Sequence, residues 1–163
     1  MSTIISLTSI TSAEDARVED ARVLLLEYAD SLGVDLSFQN FDQELSDFPD
    51  RYLPPAGALM ICEHDGQLAG SVALRRLDGE TCEMKRLFVR PGFRGHGIGR
   101  TLAVAVIDAA RNAGYGRIRL DTLPGMDDAQ RLYRLLGFDE IDAYYENPVP
   151  GTKYLELDLR KVT

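Results

Sequence analysis

The chain of 163 residues is poor in the residue types that build disulfide frameworks and metal sites. It contains two cysteines, Cys62 and Cys82, and two histidines, His64 and His96. Two cysteines are too few for a disulfide framework, so we expect a pair of buried, reduced thiols. Neither histidine stands at a metal-ligand spacing from a cysteine or from the other histidine, and we therefore expect no metal site.

Long apolar runs and an N-terminal targeting pattern are also missing. No stretch approaches the roughly 18 consecutive apolar residues of a membrane span, and no basic segment followed by an apolar one opens the sequence. We therefore expect a cytoplasmic protein that has no contact with a membrane. Apolar residues make up 45% of the chain and charged residues 27%, which is typical of a globular protein with one domain over residues 1–163.

Acidic residues outnumber basic ones, and the whole excess lies in the first third of the chain. Residues 1–55 contain eleven acidic and three basic residues, which accounts for the net charge of −8. Residues 56–163 contain fifteen of each sign. The sequence therefore lacks the basic patch that nucleic-acid binding needs. The acidic segment has two interpretations: a solvated helical face that aids solubility, or a field that attracts cationic amines.

A glycine-rich segment lies between a predicted strand and an alanine-rich helical pattern. The strand pattern ends at residues 87–89, and glycines alternate with other residues over 95–99. Alternate glycines allow successive backbone N–H groups to point into one concavity, and the first helical turn adds further unpaired donors. Arg90, Arg94 and Arg100 add full charges at the rim of this concavity, and Glu83 is the one acid near these three cations and the neighbouring Lys85 and Arg86. The segment predicts a pyrophosphate cradle; a helix entry without a ligand is the alternative.

The glycine spacing excludes two familiar phosphate-binding motifs. A dinucleotide fingerprint needs G-x-G-x-x-G, whereas these glycines read G-x-G-x-G. A P-loop needs a glycine five positions before its second glycine and a lysine directly after it. Relative to Gly99, the chain has Arg94 and Arg100 at those positions. The phosphate ligand must therefore be recognised through a different motif.

Two motifs together resemble the signatures of the GNAT superfamily of N-acetyltransferases. The first has the form Arg/Gln-x-x-Gly-x-Gly/Ala, which Arg94, Gly97 and Gly99 fill. The second is Ala129-x-x-Leu132-Tyr133-x-x-x-Gly137-Phe138. The resemblance covers about residues 56–145. It implies the GNAT fold and an acyltransferase that uses acetyl-CoA as co-substrate, without a metal.

By this resemblance, acetyl-CoA binds to the end of the strand and to the glycine-rich loop. The implied cofactor-binding residues are Leu87, Phe88, Val89, Arg94, Gly95, His96, Gly97, Ile98, Gly99, Arg100 and Thr101. Family members separate this strand from its parallel neighbour to admit the pantetheine, and a backbone N–H of residues 87–89 then serves as the oxyanion donor. Many relatives have Asn where this chain has Met126, so the sequence does not supply that contact with CoA.

The implied chemistry is transfer of an acetyl group from a thioester to a primary amine. This step needs a proton acceptor for the amine, a donor to the oxyanion and an acid for the departing thiolate. In the family, the tyrosine that follows the motif's Leu132 protonates the thiolate, and Tyr133 stands there. Histone-type members place a general-base glutamate eleven residues before the motif's arginine, and Glu83 stands there. The alternatives are a core aromatic for Tyr133 and, for Glu83, a surface carboxylate paired with a cross-strand base.

The acceptor site lies outside these motifs. In the family the first two helices and the closing strands form it, which directs attention to residues 30–50 and to Tyr144 and Tyr145. These tyrosines predict either amine binding through cation–π contacts or packing in an edge strand. We expect a small-molecule amine as the partner, rather than a protein tail. The rival function is a non-catalytic sensor or interaction module that binds CoA or acetyl-CoA. The sequence leaves the oligomeric state open, a homodimer included.

The GNAT fold that the resemblance implies is an α/β fold of the α+β type, with a central mixed, mostly antiparallel sheet of six to seven strands and about four helices. Periodicity predicts where these elements lie. Strands are predicted over 3–10, 58–63, 67–74, 81–89, 118–123, 138–145 and 153–159. Helices are predicted from an N-cap at Ser12 to Gly33, around Phe38, Phe41 and Leu45, over 97–112 and over 127–136. Since strand, helix and strand follow one another from 81 to 123, the sequence predicts one parallel pair joined by a right-handed crossover.

Overall fold

The computed structural model describes residues 4–33 and 40–160, in which one seven-stranded sheet is flanked by four α-helices. The strands are β1 (Ile5–Ser9), β2 (Ala58–His64), β3 (Gln67–Arg76), β4 (Thr81–Val89), β5 (Arg117–Thr122), β6 (Asp139–Ile141) and β7 (Lys153–Asp158). The α-helices are α1 (Val18–Leu32), α2 (Phe41–Asp47), α3 (Ile98–Asn112) and α4 (Asp127–Leu135). The predicted fold class is confirmed.

The strand order is β1-β2-β3-β4-β5-β7-β6, and β4 and β5 form the parallel pair that the sequence predicts. Their ladder is short, since it joins Thr81–Glu83 to Arg117–Arg119. Beyond it, β4 continues to Val89 and β5 to Thr122 without pairing to each other. The two strands therefore leave an opening between their C-terminal ends.

Each face of the sheet has its own apolar cluster. On one face, α3 places Ile98, Leu102, Val106 and Ala110 against the sheet, four residues apart and all buried. This spacing puts them on one side of the helix. Full burial of one Leu or Ile side chain contributes about 1.5–3 kcal/mol to the stability of the fold. Helix α4 packs on the same face. Helices α1 and α2 cover the other face, where Leu24 is fully buried.

A β-bulge in β4 changes which side chains face each cluster. Arg86 has a φ of 60°, and the register with β3 shifts at this point. Before the bulge, Met84 packs in the α3 cluster; after it, Leu87 and Val89 do so while Phe88 packs in the α1 cluster. One extra residue in a strand shifts its alternation by one position. The bulge therefore turns Leu87 and Val89 towards the face that carries α3 and α4.

The start of the first helix differs from the prediction. The helix begins at Val18 instead of directly after Ser12, and turns precede it. The Ser12 hydroxyl accepts a hydrogen bond from the Glu14 N–H (3.2 Å), and Asp15 Oδ1 accepts one from the Arg17 N–H (2.9 Å). Such local side-chain bonds hold the backbone in turns and compete with helix formation. The predicted end at Gly33 is confirmed, with a φ of 64°.

The strand predicted over 138–145 is also shorter than expected. Strand β6 ends at Ile141, and Tyr144 and Tyr145 lie in a bend after it. Their hydroxyls donate hydrogen bonds to carboxylates on β4 and β5, so they lie over the sheet instead of continuing its edge. The interpretation as edge-strand residues is therefore wrong. Thr3 and Phe38, which the sequence assigned to a strand and a helix, lie outside the described residues.

Within residues 4–33 and 40–160, no helix has the length and apolar character that would let it cross a bilayer. In the same residues, no three or more His, Cys, Asp and Glu side chains are grouped as metal ligands.

Candidate active site

The opening between β4 and β5 forms a narrow cleft of about 50 Å³. Its walls include Lys85 and Leu87 from β4, residues 120–123 at the end of β5 and just after it, Met126 directly before α4, and Tyr133 in the last turn of α4. Because the β4–β5 ladder ends at Glu83, the N–H groups of β4 on this side have no strand partner on β5. The cleft thus combines apolar side chains with polar ones, Lys85 and Asp121 among them, and with backbone donors that can bind a carbonyl group.

The glycine-rich loop follows the end of β4 and leads into α3. Gly95 and Gly97 have φ values of 86° and 79°, and a Cβ on either would meet no atom within 4 Å. In the described part of the chain, no carbonyl accepts a hydrogen bond from the N–H groups of residues 95–100. Arg94 and Arg100 are exposed beside them. Open space, unpaired donors and two arginines together fit a bound anion.

The other predicted cofactor-binding residues support this loop or lie beside it. Ile98 is 1% exposed and anchors the start of α3 in the core. A Cβ on Gly99 would lie 3.7 Å from Val89 Cγ2, so the helix passes close to the end of β4. The Thr101 hydroxyl donates to the Gly97 carbonyl (3.0 Å). His96 is exposed, with its ring centroid 4.6 Å from that of His64.

Phe88 differs from its neighbours on β4 because its side chain points away from the cleft. It packs in the α1 cluster, with its ring centroid 6.2 Å from that of Tyr28. Only the backbone of Phe88 remains for a ligand in the cleft, whereas Leu87 is one of the residues that line it.

Two cations near the loop are neutralised by acids of the N-terminal segment. Arg90 binds Glu27 of α1 through Nε and Nη2, at 2.9 and 2.7 Å, and Arg86 binds Glu44 of α2 at 3.2 and 2.7 Å. The expectation that Glu83 is the one acid near these cations is therefore wrong, and Arg90 is not a free charge at the rim. Glu27 and Glu44 act as internal partners of arginines, which leaves them less able to attract a cationic amine.

The buried pair of Glu44 and Arg86 gives a stability prediction. Their side chains are 2% and 6% exposed. Burial would raise the pKa of Glu44, but the hydrogen bonds and charge of Arg86 outweigh it and lower the pKa. Replacing Glu44 by Ala leaves the Arg86 charge buried without its partner. We expect the free energy of unfolding at pH 7, measured by urea titration, to fall by about 3–5 kcal/mol.

The control is Glu19→Ala, which removes an exposed partner of Arg22 and should change stability by no more than about 1 kcal/mol. Because the pKa of Glu44 is lower folded than unfolded, its ionic contribution is present above the ordinary pKa of a glutamate. This contribution to stability is lost as the pH falls through the pKa of Glu44 in the folded protein. An equal loss of unfolding free energy in Glu44→Ala and Glu19→Ala would contradict the account of the pair of Glu44 and Arg86.

Tyr133 lies in α4 with its side chain at the wall of the cleft. It is 7% exposed, and its ring centroid is 5.8 Å from that of Phe138. Burial raises the pKa of the Tyr133 phenol well above its usual value, helped by the negative charge of Asp121. The phenol is therefore protonated at neutral pH and is a proton donor. Tyr133 is both a core aromatic and a residue of the cleft, so its catalytic role stays a prediction.

Glu83 is completely buried and both of its carboxylate oxygens are engaged. Oε1 accepts from Arg75 Nε at 2.8 Å, and Oε2 accepts from the Tyr144 hydroxyl at 2.6 Å. Lys85 Nζ lies 3.8 Å from Oε1. Burial would raise the pKa of Glu83, but the charges of Lys85 and Arg75 and the Tyr144 hydrogen bond lower it. Glu83 thus pairs with a cross-strand base, yet in the interior rather than on the surface.

A second pocket, of about 260 Å³, adjoins the cleft at Lys85, which lines both. Arg51, Arg75, Tyr144 and Tyr145 also line this pocket. Burial lowers the pKa of Lys85, while the neighbouring Glu83 opposes this effect. The pocket brings together residues from the loop after α2, from β3 and from the bend after β6.

The structure places Leu87 and Tyr133 in the walls of the cleft and the glycine loop after the end of β4, whereas Glu83 lies behind Tyr144 at the end of the β4–β5 ladder. Arg51, Arg75 and Lys85 were not singled out by the sequence as parts of a binding pocket. No local pattern could have found Arg51 and Arg75, because they are brought together only by tertiary packing. The sequence places Lys85 among the cations near the glycine loop and on the strand face of Glu83, at a spacing of two residues, but does not assign it to an acceptor pocket.

Comparison with known proteins agrees with this geometry. The family model described as the acetyltransferase (GNAT) family matches residues 24–138. An uncharacterized N-acetyltransferase of Schizosaccharomyces pombe is 37% identical over 159 residues, covering 96% of each protein.

Two solved structures share the fold. A GNAT-family acetyltransferase from Staphylococcus aureus has a TM-score of 0.76 at 21% identity, covering 95% of this chain and 100% of that one. The yncA protein of Salmonella typhimurium, solved with its cofactor acetyl-CoA, has a TM-score of 0.69 at 19% identity, covering 96% and 95%. Together with the family match, the sequence relative and the arrangement of loop and cleft, they lead to one conclusion: this chain is an acyltransferase and belongs to the GNAT family of acetyltransferases.

Proposed function

We propose that this protein transfers an acetyl group from acetyl-CoA to a primary amine of a small molecule. One observation carries the proposal: three parts of a transfer site follow one another along β4. The glycine loop comes after Val89, the cleft lies beside Leu87, and the second pocket begins at Lys85. An acyl donor bound by the loop and an acceptor in the second pocket would meet at the junction. Membership of the GNAT family supports the same reaction.

The loop and the cleft would hold the acyl donor. The N–H groups of residues 95–100 bind the pyrophosphate, with Arg94 and Arg100 as counter-charges. The open space at Gly95 and Gly97 fits this role, since side chains there would occupy the anion's position. The pantetheine lies between β4 and β5 beside Tyr133. Acetyl-CoA supplies the activated acetyl group, and the chain supplies its orientation.

The protein's residues then stabilise the charges that change during the transfer. The amine nitrogen forms a bond to the thioester carbon, and a backbone N–H of residues 87–89 donates to the developing oxyanion. Before this attack, the bound ammonium group gives a proton to the Tyr144 hydroxyl while that hydroxyl gives its own proton to Glu83. The carbon–sulfur bond then breaks, Tyr133 protonates the departing thiolate, and the nitrogen's second proton returns to the Tyr133 phenolate. The Tyr144 relay gives Glu83 a part in the reaction although no solvent reaches it.

The proposed function is tested by measuring thiol release from acetyl-CoA over a panel of small amines and peptides. We expect release above the rate of hydrolysis with at least one small amine, and little with the peptides. Release only with peptides would contradict the assignment to small molecules. Binding of acetyl-CoA without release for any acceptor would favour the non-catalytic sensor or interaction module.

The variant Glu83→Gln tests the proton relay. Since the pKa of Glu83 is lowered, the carboxylate is ionised throughout the neutral range, and a rise of kcat/KM with pH reports deprotonation of the acceptor amine. Glu83→Gln keeps the shape and removes the charge. We expect kcat/KM at pH 7 to fall about 100-fold. The loss should shrink as the pH rises, because more of the amine is then free of its proton.

A matched control is Glu80→Gln, which removes a carboxylate that lies 3.8 Å from Arg117 and 3.8 Å from Arg160. Its kcat/KM should stay within a factor of about two at every pH, as expected for a change outside the reaction path. If Glu83→Gln also keeps full activity at every pH, Glu83 is not the proton acceptor. A water chain on backbone carbonyls is then the better account.

A further inference from the structure

Among residues 4–33 and 40–160, more positive than negative groups line the second pocket. Arg51, Arg75 and Lys85 line it, and Glu44 is the acidic lining residue within this described part of the chain. Both oxygens of Glu44 are already bound by Arg86, at 3.2 and 2.7 Å. The Glu44 carboxylate is therefore committed to a buried arginine and is a poor partner for a cationic group in the pocket.

The carboxylate behind the pocket is committed in the same way. Glu83 is completely buried, and it accepts hydrogen bonds from Arg75 and Tyr144. A substrate in the pocket meets the Tyr144 hydroxyl and the Arg75 guanidinium before it could reach Glu83. The electrostatic character that the pocket presents to a ligand is thus set by its arginines.

Both arginines keep hydrogen-bonding capacity on the pocket side. Arg75 is 32% exposed and binds Glu83 through Nε; in the described residues, no acceptor bonds its two terminal amino groups. Arg51 is also 32% exposed, and its partner Asp47 lies 3.4 Å away and is 40% exposed. A surface pair of this kind is weak. Guanidinium groups remain charged at all relevant pH values and match the planar fork of an oxyanion.

We infer that the acceptor amine carries a second, anionic group, a carboxylate or a phosphate, which Arg75 and Arg51 bind while the amine points to the cleft. This inference rests on the proposed function and specifies its substrate class. A pocket of about 260 Å³ holds a small molecule. Because Lys85 lies at the junction with the cleft, the amine occupies that end of the pocket and the anion the end nearer Arg51.

The test compares kcat/KM, from thiol release, within two matched pairs of acceptors. The first pair is β-alanine and its carboxamide, and the second is phosphoethanolamine and ethanolamine. Within each pair only one member carries the anionic group. The anion is a carboxylate in the first pair and a phosphate in the second, so the two pairs distinguish these anions. We expect the anionic member of at least one pair to be favoured by about 10-fold or more, as a hydrogen-bonded charge pair provides. Equal or higher kcat/KM for both neutral members overturns the inference and leaves the proposed function intact.

Variants of the two arginines locate the effect in this pocket. Arg51→Gln should lower kcat/KM for the favoured anionic acceptor about 10-fold, through KM, and change kcat/KM for its neutral partner by less than about twofold. Because Arg75 also binds Glu83, Arg75→Lys is judged by the ratio of kcat/KM for the anionic acceptor to that for the neutral one, which should fall about 10-fold. The control for the change in charge is Arg111→Gln, because Arg111 is an exposed residue of α3 that pairs with Asp108. This variant should leave kcat/KM unchanged for both the anionic and the neutral acceptor. Equal losses for anionic and neutral acceptors overturn the assignment to these arginines. No release with any acceptor overturns the proposed function as well.

Discussion

We expect Gly97→Glu to abolish most binding of acetyl-CoA. Binding to the unaltered protein should be micromolar in calorimetry, about −7 to −9 kcal/mol. Gly97 is the residue directly before α3, and its missing side chain leaves open space among the N–H groups of the loop. A glutamate there places a carboxylate at the anion site and opposes the phosphate by charge. The dissociation constant of the Gly97→Glu variant for acetyl-CoA should rise about 100-fold or more, which corresponds to a loss of about 3 kcal/mol of binding free energy.

Two control variants separate charge from backbone strain. Gly97→Ala imposes the same unfavourable φ of 79° without a charge, and its Cβ meets no atom within 4 Å. It should weaken binding by no more than about 10-fold, since a left-handed residue costs about 1–3 kcal/mol and part of that cost falls on folding. Gly79→Glu adds the same charge in the turn before β4 and should bind acetyl-CoA normally. Undiminished binding of acetyl-CoA by Gly97→Glu would refute the assignment of the glycine loop as the pyrophosphate-binding site.

The second large effect is expected for Tyr133→Phe. If Tyr133 protonates the departing thiolate, kcat should fall about 10- to 1000-fold while the affinity for acetyl-CoA stays nearly unchanged. Burial raises the pKa of the phenol, so Tyr133 remains protonated across the neutral range. The loss of kcat should therefore be the same from pH 6 to pH 9, unlike the loss in Glu83→Gln. Steady-state kinetics at several pH values distinguish the two roles.

Tyr115→Phe is the matched control, because Tyr115 belongs to the same apolar cluster and is 6% exposed. Its hydroxyl donates to the Ala56 carbonyl, so its removal should lower the melting temperature and leave turnover per folded molecule unchanged. If Tyr133→Phe behaves like this control, Tyr133 is a core residue without a part in the chemistry.

The features that the sequence predicts correctly are carried by contiguous segments. The strand that ends at Val89, the glycines after it and the helix that follows appear in order along the chain, and they locate both the loop and the parallel pair. Local periodicity and glycine punctuation are sufficient for such features. Leu87 of β4 and Tyr133 of α4 both line the cleft.

The features that the sequence does not predict depend on side chains far apart in the chain. Arg90 and Glu27 are separated by 63 residues, Arg86 and Glu44 by 42, and Tyr144 and Glu83 by 61. No periodic pattern contains these pairings, since they arise only when α1, α2 and the bend after β6 pack on one face of the sheet. This is why the acidic N-terminal segment suggested an outward-facing field, whereas Glu27 and Glu44 bind arginines.

The sequence does not predict the bulge in β4 for the same reason, namely that the bulge depends on tertiary packing. A strict alternation from Glu83 would place Lys85 and Leu87 on one face of the strand. The extra residue at Arg86 instead turns Leu87 to the opposite face, so that it lines the cleft while Phe88 packs under α1. A bulge of this kind is set by packing on both faces and by the register with β3, and neither is visible in the sequence of β4 alone.

The most direct test of the central claim is the mass spectrum of an acceptor amine after incubation with the protein and acetyl-CoA labelled in its acetyl group. The account predicts one labelled acetyl group on the amine nitrogen, at a rate that falls in Gly97→Glu and in Tyr133→Phe. Label that remains on acetyl-CoA, or that appears only as free acetate with every amine tested, would contradict transfer to an amine.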